Sequence, residues 1–343
     1  MDAWSRADQL IDRARSVADL QAHRLHLYAA WRWRSLGRPV AGELVELERE
    51  AAVVRLAAPA ILERIRSAYD GPAVLFKGPE VAARYPTPQL RPYVDLDLLV
   101  PAADEVQRLL LGAGFREAEV RAPDGHHHAQ PLEWPGMPLR VEIHSKLNWP
   151  LWLRTPPSEE IMTAATLDSV FGMGVTTLPP VHHTLILAAH AWREAPLTRV
   201  GDLLDIVTMS AGADDAELER LAGQWGLGRL WPATLATIDS VLFGSRDQKL
   251  ASRVWTRNLE TLRERTVFTA KVSKVVAPFW GLKASAALGA SMRELASDLR
   301  PEGDETWGEK VRRTGGALRQ AGDRRSARDR ALRASRDRKP DVD

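Results

Sequence analysis

Apolar positions recur every three to four residues at the start of the chain. Leu10, Ile11, Ala14, Val17 and Leu20 keep helical spacing. Gly37-Arg38-Pro39 breaks that run, and a second helical pattern follows from Gly42 to Tyr69 on Leu44, Leu47, Ala51, Val54, Leu56 and Ile61. Asp70-Gly71-Pro72 is strong punctuation. The period then shortens. Ala73–Phe76 reads as a buried strand, ended by Lys77-Gly78-Pro79, with Pro79 suited to the first position of a short helix through Val81, Ala82 and Tyr85. Pro86, Pro88 and Pro92 mark an irregular connection. Val94–Val100 alternates at its start and reads as a strand. Ala103–Gly112 reads as a helix, Phe115–Val120 as a strand, and Ala129–Trp134 with Leu139–Leu147 as a hairpin pair. Helical periodicity returns in His182–Glu194, Thr198–Ser210, Ala216–Trp225 and Leu230–Phe243, and continues from Lys249 to Leu299.

This order predicts an α+β fold: a small mixed sheet with helices on one side, flanked by helical segments. The divisions fall at 1–70 (helical), 71–178 (the sheet-bearing core), 179–300 (helical) and 301–343. The last segment is rich in Arg, Asp and Ser and reads as a charged, disordered tail, with Gly322–Asp343 expected to lack a core of its own.

Composition narrows the class. Hydrophobic residues make up 45% and charged residues 27%, as in a globular chain rather than a fibrous or wholly disordered one. With no Cys, disulfides and thiolate chemistry are excluded. The 47 basic and 45 acidic residues nearly cancel to +2, so net charge carries no argument for nucleic acid. The opening residues lack the apolar core of a secretory leader, and no run reaches the ~18 apolar residues of a membrane helix, so a cytoplasmic chain without stable membrane insertion is expected.

The chemistry concentrates in Asp95-Leu96-Asp97. Residues two apart on a strand share a face, so both carboxylates project together while Leu96 and Leu98 face the core. Like charges held so close repel, and a divalent cation relieves them. The strand over Leu139–Leu147 offers Glu142 and His144 on one face. Asp95, Asp97 and Glu142 could then hold two metals about 3.5–4 Å apart for displacement at phosphorus. Upstream, Lys77-Gly78 ends a strand and precedes a helix, a place where backbone N–H groups and an ammonium meet phosphate. Arg91 is either a second phosphate ligand or a pin for its loop, held by a carboxylate.

The stretch LFKGPEVAARYPTPQLRPYVDLDLLV resembles the core of the polymerase-beta-like nucleotidyltransferase superfamily. More narrowly, it is similar to the bacterial family of uncharacterised nucleotidyltransferases. VEIHSKL and LILAAHAWREAPLTRVGDLLDI resemble later segments of that family, so the likeness covers about residues 70 to 210. It implies Asp95 and Asp97 as metal ligands, Glu142 as third carboxylate, and Lys77 with Gly78 as the nucleotide-phosphate turn. The implied reaction is Mg²⁺-dependent transfer of an NMP from an NTP, with two ions and release of pyrophosphate. The acceptor would be a small molecule, a peptide or protein, or tRNA. Pro79 departs from the superfamily's Gly-Ser or Gly-Gly turn and removes one N–H. It supports an alternative, a catalytically silent nucleotide-binding or assembly module.

Other features have plainer readings beside the functional ones. His126-His127-His128 is a zinc candidate or an exposed loop, and His128 or His144 could face the nucleotide. His190, Asp202 and Asp205 read as a buried His–Asp pair joining two helices, with the acceptor side of the cleft as the other reading. Trp149 and Trp152, among 12 Trp, are the candidates for stacking on a base. Val267–Met292, interrupted by Lys271, Lys274, Pro278 and Lys283, is a core helix or an amphipathic surface for a membrane. The Arg-rich tail is a solvated tail or a non-specific RNA contact.

Overall fold

The structure, a computed structural model, describes residues 2–118, 130–193, 196–245, 253–299, 306–310, 312 and 315. Local chemistry sets the first helices. Asp2 caps α1 (Ala3–Ile11) by accepting from the Trp4 and Ser5 amides, and Ser16 caps α2 (Val17–Ala22). After α3 (His26–Ser35), Gly37 takes φ +67° and releases the chain toward the long α4 (Gly42–Ala68).

Among the described residues, seven strands form one mixed sheet: β1 (Val74–Leu75), β2 (Asp95–Leu99), β3 (Arg116–Glu117), β4 (Leu132–Glu133), β5 (Arg140–His144), β6 (Leu167–Asp168) and β7 (Thr176–Thr177). Their order is β3-β4-β5-β2-β1-β7-β6. The central β2 runs parallel to β5 and antiparallel to β1, while β7 lies parallel to β1. Between strands come α5 (Pro79–Ala82), α6 (Ala103–Gly112) and α7 (Ser158–Ala164). Helices α8 (Pro180–Ala191), α9 (Val200–Ser210), α10 (Asp215–Gln224) and α11 (Leu230–Leu242) follow, then α12 (Arg253–Glu260), α13 (Val267–Val276), α14 (Pro278–Gly281) and α15 (Ala284–Leu299). The helix reading from the sequence holds within a few residues for α4, α6 and α8–α11, whereas the run read over Leu10–Leu20 breaks between α1 and α2, and α7 had no counterpart.

Helices cover both faces of the sheet, not one. Leu96, Leu98, Val141 and Ile143 pack with Ala58, Ile61 and Leu62 of α4 and Val106 and Leu110 of α6. Val74, Phe76 and Leu99 join a larger cluster built by α1–α3 and α8–α11. The first 70 residues thus divide between two cores, because α4 lies against the sheet while α1–α3 lie with the later helices. Of the predicted strand at Phe115–Val120, Arg116–Glu117 form β3 and residues 119 and 120 lie outside the described residues; β4 pairs with β5 antiparallel as the hairpin pattern required. The small strands β6 and β7 have no counterpart in the sequence reading; each is two residues long and set by its partner strand. Among the described residues, no helix is long and apolar enough to cross a membrane.

Candidate active site

The register of β2 on β5 places Asp95 opposite Arg140, Asp97 opposite Glu142 and Leu99 opposite His144. Because alternate residues share a face, Asp95, Asp97, Glu142 and His144 stand on one side of the sheet. Asp97 is 1% exposed. Its Oδ1 receives the Lys77 Nζ at 3.0 Å and the His144 Nε2 at 3.0 Å. The same His144 nitrogen lies 3.6 Å from Glu142 Oε2. Donor atoms of Asp97, Glu142 and His144 all fall within 4.8 Å of one another.

Electrostatics follow from that crowding. Burial works to raise the Asp97 carboxyl, but the Lys77 ammonium and His144 hold it well below the usual range. Asp95 is raised by burial and then by Asp97. Burial, with Asp97 and then Asp95, pushes Glu142 up to about 7. Three carboxylates compete for one close ammonium, and their oxygen donors suit a hard divalent cation. His144, bonded to Asp97, fits the role of a group that orients a ligand. The donor chemistry thus fits the cation that the resemblance implies. Asp95 shares the face but stands outside the tightest donor group, in which His144 takes its place.

The Lys77-Gly78 turn lies beside this group. Gly78 has φ +58° and ψ −117°, a conformation side chains resist. A Cβ there would sit 3.0 Å from the Asp95 carbonyl oxygen. Pro79 opens α5, and the buried Glu80 accepts from the Val170 amide at 2.9 Å, tying α5 to the segment between β6 and β7. The His183 Nε2 bonds the Phe76 carbonyl just before Lys77.

The structure therefore brings together Asp95, Asp97, Glu142, Lys77, Gly78 and His144. Arg91 meets this group through the Gly78 carbonyl. Its guanidinium is 3% exposed and engages Asp205 through Nε at 2.7 Å and Nη2 at 2.9 Å, and Gly78 O through Nη1 at 2.9 Å. That is the pinning role. Asp202 and Asp205 pair with Arg24 and Arg91, so the expected partnership with His190 gives way to arginines. His190 instead feels Lys77 first, then burial, and both hold its ring well below the usual range. Its Nδ1 is buried and meets no hydrogen-bond partner among the described residues. Trp149 is buried edge-on against Trp225, away from any base, while Trp152 is half-buried and packs against Gly281. His126, His127 and His128 lie outside the described residues. Arg24 and His183 escaped the sequence reading. His183 had a signal, since it precedes His190 by two helical turns on one face of α8.

Comparison with curated proteins and with solved structures gives no match. A family model described as an uncharacterised nucleotidyltransferase matches residues 9–242. The span runs from α1 to the end of α11 and contains every residue of the site. By that extent, the chain belongs to the uncharacterised nucleotidyltransferase family.

Proposed function

We propose that the protein is a Mg²⁺-dependent nucleotidyltransferase that moves an NMP from an NTP to an acceptor hydroxyl or phosphate. The observation that carries this is Asp97 facing Glu142 across two parallel strands, with Lys77 and His144 both on the Asp97 oxygen. Asp95, Asp97 and Glu142 would hold the cation, two ions in this reading, which supplies charge neutralisation and acidifies the acceptor hydroxyl. Lys77 would turn its ammonium from Asp97 to the triphosphate. Gly78 would let the backbone approach the phosphates. His144 keeps the Asp97 carboxylate in place. The acceptor oxygen bonds to the α-phosphorus, the bond to the bridging oxygen breaks, pyrophosphate leaves, and the acceptor proton passes to water. Positioning and charge neutralisation account for most of the rate.

The test is transfer from α-labelled ATP, CTP, GTP and UTP in Mg²⁺ with host lysate, beside Asp97→Asn. A labelled product that the variant fails to make supports the reading. Its sensitivity to RNase, to protease or to neither distinguishes tRNA, protein and small-molecule acceptors. Pro79 keeps one alternative in view, a silent nucleotide-binding module: it predicts metal-dependent NTP binding with no product.

A further inference from the structure

We propose that Asp205 on α9 is a positioning residue for the phosphate turn, acting through Arg91 on the Gly78 carbonyl. The assignment of phosphate to this turn rests on the function proposed above; the mechanical coupling does not.

The argument begins with the peptide between residues 78 and 79. Gly78 has the widest backbone freedom of any residue, and Pro79 contributes no N–H. The only polar handle on that peptide plane is the Gly78 carbonyl. It accepts from the Ala82 amide at 3.1 Å, within the short α5, and from Arg91 Nη1 at 2.9 Å. Arg91 therefore orients the plane from outside the turn.

Arg91 is itself held from far along the chain. Both oxygens of Asp205 receive its fork, at 2.7 and 2.9 Å. Such a two-point contact fixes the guanidinium plane as well as its position. Tyr85 donates to the same carboxylate at 2.7 Å. Arg24, between α2 and α3, lies 3.1 Å from Asp202 and 3.7 Å from Asp205, and donates to the Pro92 carbonyl at 3.1 Å. Two guanidinium groups face two carboxylates, so the buried cluster is charge-balanced, which is the condition for burying it. Arg24 adopts φ +58°, a left-handed conformation that a non-glycine residue resists. The close approach of α9 permits this arrangement: the Gly201 amide donates to the His23 carbonyl at 2.9 Å, and a Cβ on Gly201 would come 2.8 Å from that of Arg24. The α2–α3 connection and α9, which share one helical layer, thus act on the Gly78 carbonyl through Arg91.

The decisive comparison is of full-length wild type with Asp205→Asn, Arg91→Lys and Tyr85→Phe. Amide hydrogen exchange is followed in the peptide over 76–82, with NTP affinity and Mn²⁺ affinity measured separately, and KM and kcat wherever transfer is detectable. Asp205→Asn is expected to speed exchange at the turn and weaken NTP binding about tenfold, the scale of a lost charge-assisted hydrogen bond, with Mn²⁺ affinity within about threefold of wild type. KM should rise while kcat holds. Arg91→Lys should not restore the turn, since a point charge cannot serve a carboxylate and a carbonyl in one plane. Tyr85→Phe, which removes one hydroxyl, should act in the same direction but less, and decides the matter if Asp205→Asn does not fold. Unchanged exchange at 76–82 in a folded variant overturns the proposal, as does parallel loss of Mn²⁺ and NTP affinity. If wild type binds no NTP, the nucleotidyltransferase reading falls, while the exchange result still decides the coupling.

Discussion

Asp97 and Glu142 face each other across the parallel pairing of β2 and β5, and His144 Nε2 touches both carboxylates. The pair is held together by the sheet against its own repulsion. Glu142→Gln removes one of the charges and is expected to stabilise the metal-free protein by on the order of 1–3 kcal/mol at neutral pH. The sign follows from the folded pKa of about 7, above the usual carboxyl value: stability present below the ordinary carboxyl pKa is lost as pH rises through 7. The same variant should bind divalent cation less tightly. Thermal melts with and without Mn²⁺ check both halves.

His144→Ala should lower divalent affinity about 10–100-fold, the usual effect of removing a group that orients a metal ligand. Titration with Mn²⁺ measures it. An unchanged affinity would remove His144 from the site.

Gly78→Ala should be destabilised by about 1–3 kcal/mol and should bind NTP more weakly. The cause is the positive φ together with the 3.0 Å approach to the Asp95 carbonyl. Denaturant unfolding and nucleotide binding, read together, test it; Pro79→Ala, which restores an N–H without touching φ at 78, is the control.

His23 and His183 are buried and bonded in neutral form: His23 Nδ1 accepts from the Val200 amide, and His183 donates to Phe76. Burial lowers each from 6.5 to about 4. The unfolded chain binds more protons between those values, so stability falls as pH drops from 6.5 toward 4, by up to about 3 kcal/mol per residue. Denaturant midpoints across that window, with His183→Gln as comparison, measure the slope.

Trp149→Phe should lower stability by roughly 1–3 kcal/mol and leave the KM for NTP unchanged. A changed KM in a folded variant would return Trp149 to the nucleotide site.

The central chemistry was legible because strand alternation is a strict rule. Asp95, Asp97 and Glu142 share a face for the same reason that Leu96 and Leu98 share the other. His144 was legible as a neighbour, but its grip on Asp97 required the register with β5. Arg91 was visible as a choice between two roles, and only its distance to Asp205 decides between them. Arg24 and Asp205 were not legible as partners, since nothing local to residue 24 announces a carboxylate on α9. The short β6 and β7 were missed because two residues carry no period; the pairing of β7 with β1, and of β6 with β7, creates them.

The Arg91–Asp205 contact spans 114 residues, and Arg24 to Asp202 spans 178. A ribosome adding about 5–20 residues per second reaches Asp205 roughly 6–23 seconds after Arg91. During that interval the sheet strands carrying Asp97 and Glu142 have been made, but the carboxylate that orders the Gly78 peptide has not. The growing chain would therefore carry its acidic cluster well before it could shape a nucleotide seat, and competence would arrive late, with the synthesis of α9.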